Sequence, residues 1–280
     1  MTLLFVLLGC YQLDGFFFNP DVVDAYTLGG TVIPSTCQEL VSFDGEGGTL
    51  YGAWAHQPLE TGGDCEAGAH HPTATTVIFF HGNAENIDGY WEYSELIWSA
   101  GYEALNFDYR GYGRSAGSPT FDGVIDDGAV AIEYASAKSG RGPEELVHIG
   151  LSLGGFVAVH NLKDGAPSVL ITMDMFASTQ KILDDGTTLD LPAGWFFEEN
   201  FDNLAPLREM PAATPYLVVH GANDTYIQPE HARLVYAAAA STDKSLELIE
   251  GADHADAIEV APKVLSDTLT GWIDTHLAPG

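Results

Sequence analysis

Hydrophobic positions change rhythm along this chain, and each rhythm predicts a different kind of element. Two short β-rich runs, residues 39–43 and 49–55, flank Asp44-Gly45-Glu46-Gly47-Gly48, a glycine-rich turn that predicts an antiparallel hairpin. Residues 57–75 are rich in Gly, Pro and His without any period, which predicts a surface loop. Beyond it, residues 77–80, 104–107, 146–149, 169–173, 216–219 and 246–249 are largely apolar runs of strand length, which predict strands buried on both faces rather than alternating. Stretches of helical length lie between and after them, at 90–100, 121–137, 156–162, 230–240 and 260–276. Strand alternating with helix predicts a mostly parallel sheet with helices on both faces, and right-handed crossovers fix most of its topology. Residues 176–211 interrupt the alternation with Leu191-Pro192-Ala193-Gly194-Trp195-Phe196-Phe197, which predicts a short cap inserted in one α/β domain spanning 16–280.

Composition supports a packed core, since 46% of the 280 residues are hydrophobic and only 18% are charged. The charge balance changes the picture more. Forty acidic against ten basic side chains leave a formal charge of -30, which repels phosphate backbones, so nucleic acid is not an expected partner. A salt-adapted surface and an exterior that merely keeps the protein dispersed both account for the acidity. Attraction of a cationic substrate would account for it only if the charge were focused on a cleft.

At the N-terminus an apolar run, residues 3–8, leads into Leu7-Leu8-Gly9-Cys10, a tract that resembles the lipobox of bacterial lipoproteins. The resemblance implies that residues 1–15 hold an export signal and that Cys10 carries a lipid anchor; a buried N-terminal strand in a cytoplasmic protein is the alternative. The run is too short to span a bilayer, which takes about 20 apolar residues. With Cys10 set aside, Cys37 and Cys65 form an even pair flanking the hairpin, as suits an oxidising compartment. A disulfide between them would stabilise the fold by roughly 3 to 4 kcal/mol; two free thiols are the alternative. Cys65, His70 and His71 lack the paired spacing of a zinc site, and no metal is expected.

The chemistry concentrates in Gly150-Leu151-Ser152-Leu153-Gly154, a G-x-S-x-G tract placed after a predicted strand and before a predicted helix. There a serine sits on a sharp turn with its hydroxyl exposed above the sheet, and flanking glycines let the turn close. The Leu153 N–H then lies at a helix N-terminus, where it favours a developing oxyanion. A serine hydroxyl needs a base and an orienting acid, in the chain order Ser, acid, His. His220-Gly221-Ala222-Asn223-Asp224 and Gly251-Ala252-Asp253-His254 end successive predicted strands and supply both in that order. Asp224 is preferred as the acid and His254 as the base; Asp174, at the end of the preceding strand, is the alternative acid, and Asp253 and Asp256 could contact the imidazole. The loop after strand 77–80, with His81-Gly82-Asn83-Ala84, should give a second oxyanion donor through the Asn83 N–H, while His81 is read as bracing that turn.

Together with Asn106-Phe107-Asp108-Tyr109-Arg110-Gly111-Tyr112-Gly113-Arg114-Ser115, these motifs resemble the Bem46-like and ABHD13- and ABHD17-like α/β hydrolases, often described as serine aminopeptidase-type or lysophospholipase-like. The resemblance covers nearly the whole chain after about residue 16 and implies the α/β-hydrolase fold. It also implies an ester, thioester or amide target on a small-molecule or lipid-like acyl substrate, with no cofactor. Asp108, Tyr109 and Arg110 belong to the family's sheet-edge turn and are read as structural. A peptidase differs only in its pocket. Dehalogenases and epoxide hydrolases place Asp where Ser152 stands, and a silent binding scaffold has no need of all three groups.

Overall fold

A computed structural model describes residues 18–30, 32–60, 63–65, 71–186 and 201–277. Cys10, His70 and the tract 191–197 lie outside these residues, as does the segment 1–15. The chain opens with a two-residue strand, β1 (Asn19–Pro20). The glycine turn then folds β2 (Gln38–Gly45) onto β3 (Gly48–Ala55) as an antiparallel hairpin, with Gln38 opposite Ala55. After the loop come β4 (Thr76–Phe80), the short β5 (Ala84–Glu85), β6 (Glu103–Asp108), β7 (Val147–Leu151), β8 (Val169–Met173), β9 (Tyr216–Gly221) and β10 (Lys244–Ile249). Among the described residues eight of these strands form one sheet in the order β10-β9-β8-β7-β4-β6-β3-β2. Neighbours from β10 to β6 are parallel, and β3, antiparallel to both β6 and β2, alone runs against the other strands of this sheet. This is the architecture that the alternation of apolar runs predicted.

Between the strands lie α1 (Trp91–Ser99), α2 (Phe121–Ser139), α3 (Leu153–His160), α4 (Thr179–Gly186), α5 (Leu204–Glu209) and α6 (Glu230–Ala238), and after them α7 (Ala257–Val260) and α8 (Pro262–Leu277). Local chemistry sets their limits. The Thr120 hydroxyl accepts the Gly123 N–H at 3.1 Å to start α2, and Gly140, at φ 69°, ends it in the left-handed region. The single helix predicted at 260–276 begins earlier, as α7, and breaks at Ala261, because the residue before a proline disfavours the helical region whereas Pro262 suits a first turn.

Successive side chains of β4 face opposite layers. Ile78 and Phe80 pack with α2, α3 and α6 through Phe121, Phe156 and Val235, while Val77 and Phe79 pack with α1 and α8 through Trp91, Ile97 and Leu269. Both faces of the sheet are thus covered, which is why its inner strands β4, β6, β7, β8 and β9 are buried throughout, while the edge strands β2 and β10 carry exposed positions. Cys37, just before β2, is disulfide-bonded to Cys65, beyond β3. No helix among the described residues is long and apolar enough to cross a membrane.

Candidate active site

The turn between β7 and α3 is built around one strained residue. Ser152 has φ 52° and ψ -109°, a conformation that non-glycine residues rarely hold. The Ser152 N–H donates to Met173 O at 2.8 Å, and Gly155 N–H donates to Ser152 O at 3.0 Å. Close approach explains the flanking glycines: a Cβ on Gly154 would lie 1.8 Å from Phe80 O, and one on Gly150 would lie 2.4 Å from Gly154 O. Ser152 borders a cleft of about 460 Å³ that is also lined by Asn83, Tyr90, Tyr226, His254 and Phe18.

β9 and β10 carry their loops to the same edge of the sheet. The Asp224 Oδ2 atom lies 2.8 Å from His254 Nδ1, and a carboxylate only accepts, so Nδ1–H is the donor. That tautomer leaves Nε2 with a lone pair facing the Ser152 hydroxyl, 3.1 Å away. The second oxygen of Asp224 accepts the Tyr226 N–H at 2.9 Å and the Ile227 N–H at 2.7 Å. Burial alone would raise the pKa of this carboxyl, but hydrogen bonds from His220 and His254, with the Ile227 amide, hold it well below the usual carboxylate range.

Beneath these groups lies a pair whose roles the sequence left unassigned or took as an alternative. Asp174, at φ 49°, accepts the Gly221 N–H at 2.8 Å with one oxygen and the Ala255 N–H at 3.1 Å with the other. It therefore ties the end of β9 to the residue after His254. His220 is buried between the two acids: Nε2 donates to Ile227 O at 2.7 Å and lies 3.3 Å from Asp224 Oδ2, and Nδ1 lies 3.7 Å from Asp174 Oδ1. Burial disfavours its charged form, yet the bond to Asp224 and the charge of Asp174 raise its pKa overall. One ligand atom from each of Asp174, His220 and Asp224 lies within 4.8 Å of the others, the spacing of a metal site. Main-chain amides and the His254 ring already engage both carboxylates, so the trio reads as an internal hydrogen-bond network. Its sequence signal was the histidine that opens the strand-end tract His220 to Asp224.

Of the remaining expected residues Asn83 lines the same cleft, and the others lie next in the chain to residues that do. Leu153 is the first residue of α3, where N–H groups have no intrahelical partner. Asn83 lines the cleft, with its main-chain oxygen and side-chain Oδ1 accepting the Tyr112 hydroxyl at 3.0 and 2.8 Å. His81 is held in its own turn: Nδ1–H donates to Gly82 O at 2.7 Å, and Tyr109 OH donates to His81 O at 3.0 Å. Asp253 accepts the Thr225 N–H at 2.8 Å and the His254 N–H at 2.9 Å, and Asp256 accepts the Asp253 N–H at 2.7 Å, so both shape the loop.

Known proteins place this geometry in a family. The chain matches the family described as Serine aminopeptidase, S33 over residues 71–182 and 202–260, more than half of its length. It is 30% identical to protein YfhR of Escherichia coli O157:H7 over 225 residues, covering 78% of this chain and 74% of that one. It is 29% identical to the alpha/beta hydrolase domain-containing protein WAV2 of Arabidopsis thaliana, covering 62% and 61% of the two chains. Among solved structures, esterase Pf2001 of Pyrococcus furiosus superposes with a TM-score of 0.71 at 20% identity, covering 94% of this chain and 99% of that one. A G-x-S-x-G elbow on a parallel sheet, matched over so much of the chain, leads to one conclusion: the chain belongs to the serine aminopeptidase S33 family of α/β hydrolases.

Proposed function

We propose that the protein is a serine hydrolase of the Bem46-like kind that cleaves a carboxylic ester or thioester through an acyl-enzyme. The continuous chain from Asp224 Oδ2 through His254 to the Ser152 hydroxyl, at 2.8 and 3.1 Å, carries this reading. Ser152 Oγ attacks the carbonyl carbon while His254 Nε2 takes its proton. His254 then returns that proton to the leaving alcohol or thiol as the bond to it breaks. Asp224 holds the productive tautomer and stabilises the imidazolium. The Leu153 and Asn83 N–H groups receive the oxyanion, each worth about 3 kcal/mol in sites of this kind. Water, activated by His254, hydrolyses the acyl-enzyme and restores Ser152.

Fluorophosphonate labelling of the wild type and of Ser152→Ala tests the assignment. Label on Ser152 in the wild type, lost in the variant together with aryl-ester turnover, is the expected result; label that persists moves the nucleophile elsewhere. The description of the matched family favours a second reading, release of an N-terminal amino acid from a peptide. Aminoacyl anilides assayed beside short-chain aryl esters separate the two, and the name of the esterase superposed above favours the esters.

The setting we propose is an exported protein anchored to a bacterial membrane through a lipid on Cys10, with the bond between Cys37 and Cys65 suited to an oxidising compartment. Mass spectrometry of the mature N-terminus should find diacylglyceryl on Cys10; an unmodified Met1 overturns the anchor.

A further inference from the structure

The residues matched to the family begin at 71, yet two residues lining the cleft, Phe18 and Asn19, lie far upstream of that point. They start an extended strap, residues 18–28, that is bonded along its length to the loop carrying Asn83 and to the turn after β6. The Asn19 N–H donates to Asn83 O at 3.3 Å and the Asp21 N–H to Glu85 O at 3.2 Å, as β1 pairs in parallel with β5. On the other side Gly113 N–H donates to Asp21 O at 2.9 Å and Val23 N–H to Gly113 O at 3.1 Å. Further along, the Thr27 and Leu28 N–H groups both donate to the Asp88 carboxylate, the latter at 2.7 Å.

One buried carboxylate joins strap and loop. Asp108 Oδ1 accepts the Ile87 N–H at 2.9 Å, and Oδ2 accepts the Tyr26 hydroxyl at 2.5 Å; the same hydroxyl accepts the Arg114 N–H at 2.9 Å. Removing the Tyr26 hydroxyl would unfasten the strap from the group that also fixes the loop behind Asn83. At the cleft end Phe18 is only 6% exposed, with its ring 4.9 Å from that of Phe121, which in turn lies 3.8 Å from Phe201 and 5.7 Å from Phe156. An aromatic side chain backed by packed rings and bordering the cleft is a rigid apolar wall, the kind of surface that discriminates acyl chains by length.

We propose that the strap is part of the active site: Phe18 is a specificity-determining residue that contacts the acyl chain of the substrate, and Tyr26 is a positioning residue for the loop that carries Asn83. The substrate class that follows is an ester or thioester whose acyl group is long enough to reach Phe18. This rests on the reading of Ser152 as nucleophile.

The test uses the full chain and a series of p-nitrophenyl esters from acetyl to dodecanoyl. Phe18→Ala should lower kcat/KM for the octanoyl ester about tenfold and leave the acetyl ester within about twofold, and Phe18→Leu should restore much of the preference. Tyr26→Phe should lower kcat about tenfold on every ester, with KM changed by less than about twofold, because a displaced loop affects all substrates alike. An unchanged chain-length profile in Phe18→Ala and Phe18→Leu, or an unchanged kcat in Tyr26→Phe, overturns the corresponding assignment. A second measurement separates failure of the strap from failure of the nucleophile. Binding of octyl p-nitrophenyl ether to Ser152→Ala should weaken when Phe18→Ala is added. Unchanged binding overturns the Phe18 assignment whichever residue is the nucleophile, whereas absence of fluorophosphonate label from wild-type Ser152 overturns the nucleophile alone.

Discussion

At the scale of single residues, the site depends on groups that have little freedom to move. Asp224 turns one oxygen to two amides and the other to His254, so it fixes the imidazole, and in the proposed mechanism it stabilises the charge that forms there. Asp224→Asn keeps the shape but presents an amide that disfavours the productive tautomer, and kcat should fall by about 10⁴ with KM little changed, as steady-state ester kinetics will read. His148 on β7 makes the opposite case. It is 1% exposed, neither ring nitrogen has a hydrogen-bond partner among the described residues, and burial lowers its pKa from 6.5 to about 3. The folded state therefore refuses a proton that the unfolded chain accepts. Stability tied to this residue is complete above pH 6.5 and is lost as pH falls toward about 3, at about 1.4 kcal/mol per unit. His148→Phe should flatten that dependence, and urea unfolding of both proteins at pH 7.5 and at pH 5 will show whether it does.

At the scale of elements, the loops that bear Asp224 and His254 are held by a carboxylate on a third. Asp174 sits at the end of β8, but its two bonds reach Gly221 on β9 and Ala255 after β10. Asp174→Asn replaces one acceptor with a donor, so one of those bonds is lost beside His220. A stability loss of about 2 kcal/mol is expected, as for a hydrogen bond to a charged group, with kcat down by roughly tenfold to a hundredfold through misplacement of His254. Urea unfolding and ester kinetics on the same samples will give both. If Asp174 were the orienting acid, its variant would lose more activity than Asp224→Asn, and that ranking decides between them. The strand ends that carry Ser152, Asp224 and His254 were legible in the sequence because each follows a largely apolar run; β7 and β9 are buried on both faces as expected, whereas β10, at the sheet edge, is mostly half-buried with Glu247 exposed. The ladder adds only flanking residues, such as Glu103 opposite Thr76. What was not legible joins distant residues without any period. β1 and β5 are two residues each, and the bond from Ala255 to Asp174 spans 81 positions. α3 begins at Leu153, where the elbow motif placed a helix N-terminus, and not at Phe156, where the apolar stretch of helical length started.

At the scale of the whole molecule, the sheet explains where the site is and the charge bears on how firmly the fold holds. Loops at the carboxyl ends of parallel strands converge on one edge, so three side chains far apart in the chain meet there. The core on both faces is apolar and neutral for the most part, which leaves most of the net charge of -30 to the surface. Like charges at that density repel one another in the folded state more than in the expanded chain, where they are farther apart, so the acidity opposes compaction. Added salt shortens the range of this repulsion, from about 10 Å at 0.1 M to about 3 Å at 1 M. Sodium chloride should therefore raise the midpoint of thermal unfolding by several degrees over that range. Sodium chloride suits the test better than sulfate, which strengthens burial by exclusion from the surface of any protein. A midpoint that stays level across the titration would mean that the carboxylates are too dispersed or too well paired to strain the fold, and the acidity would then bear on dispersion in solution and not on stability.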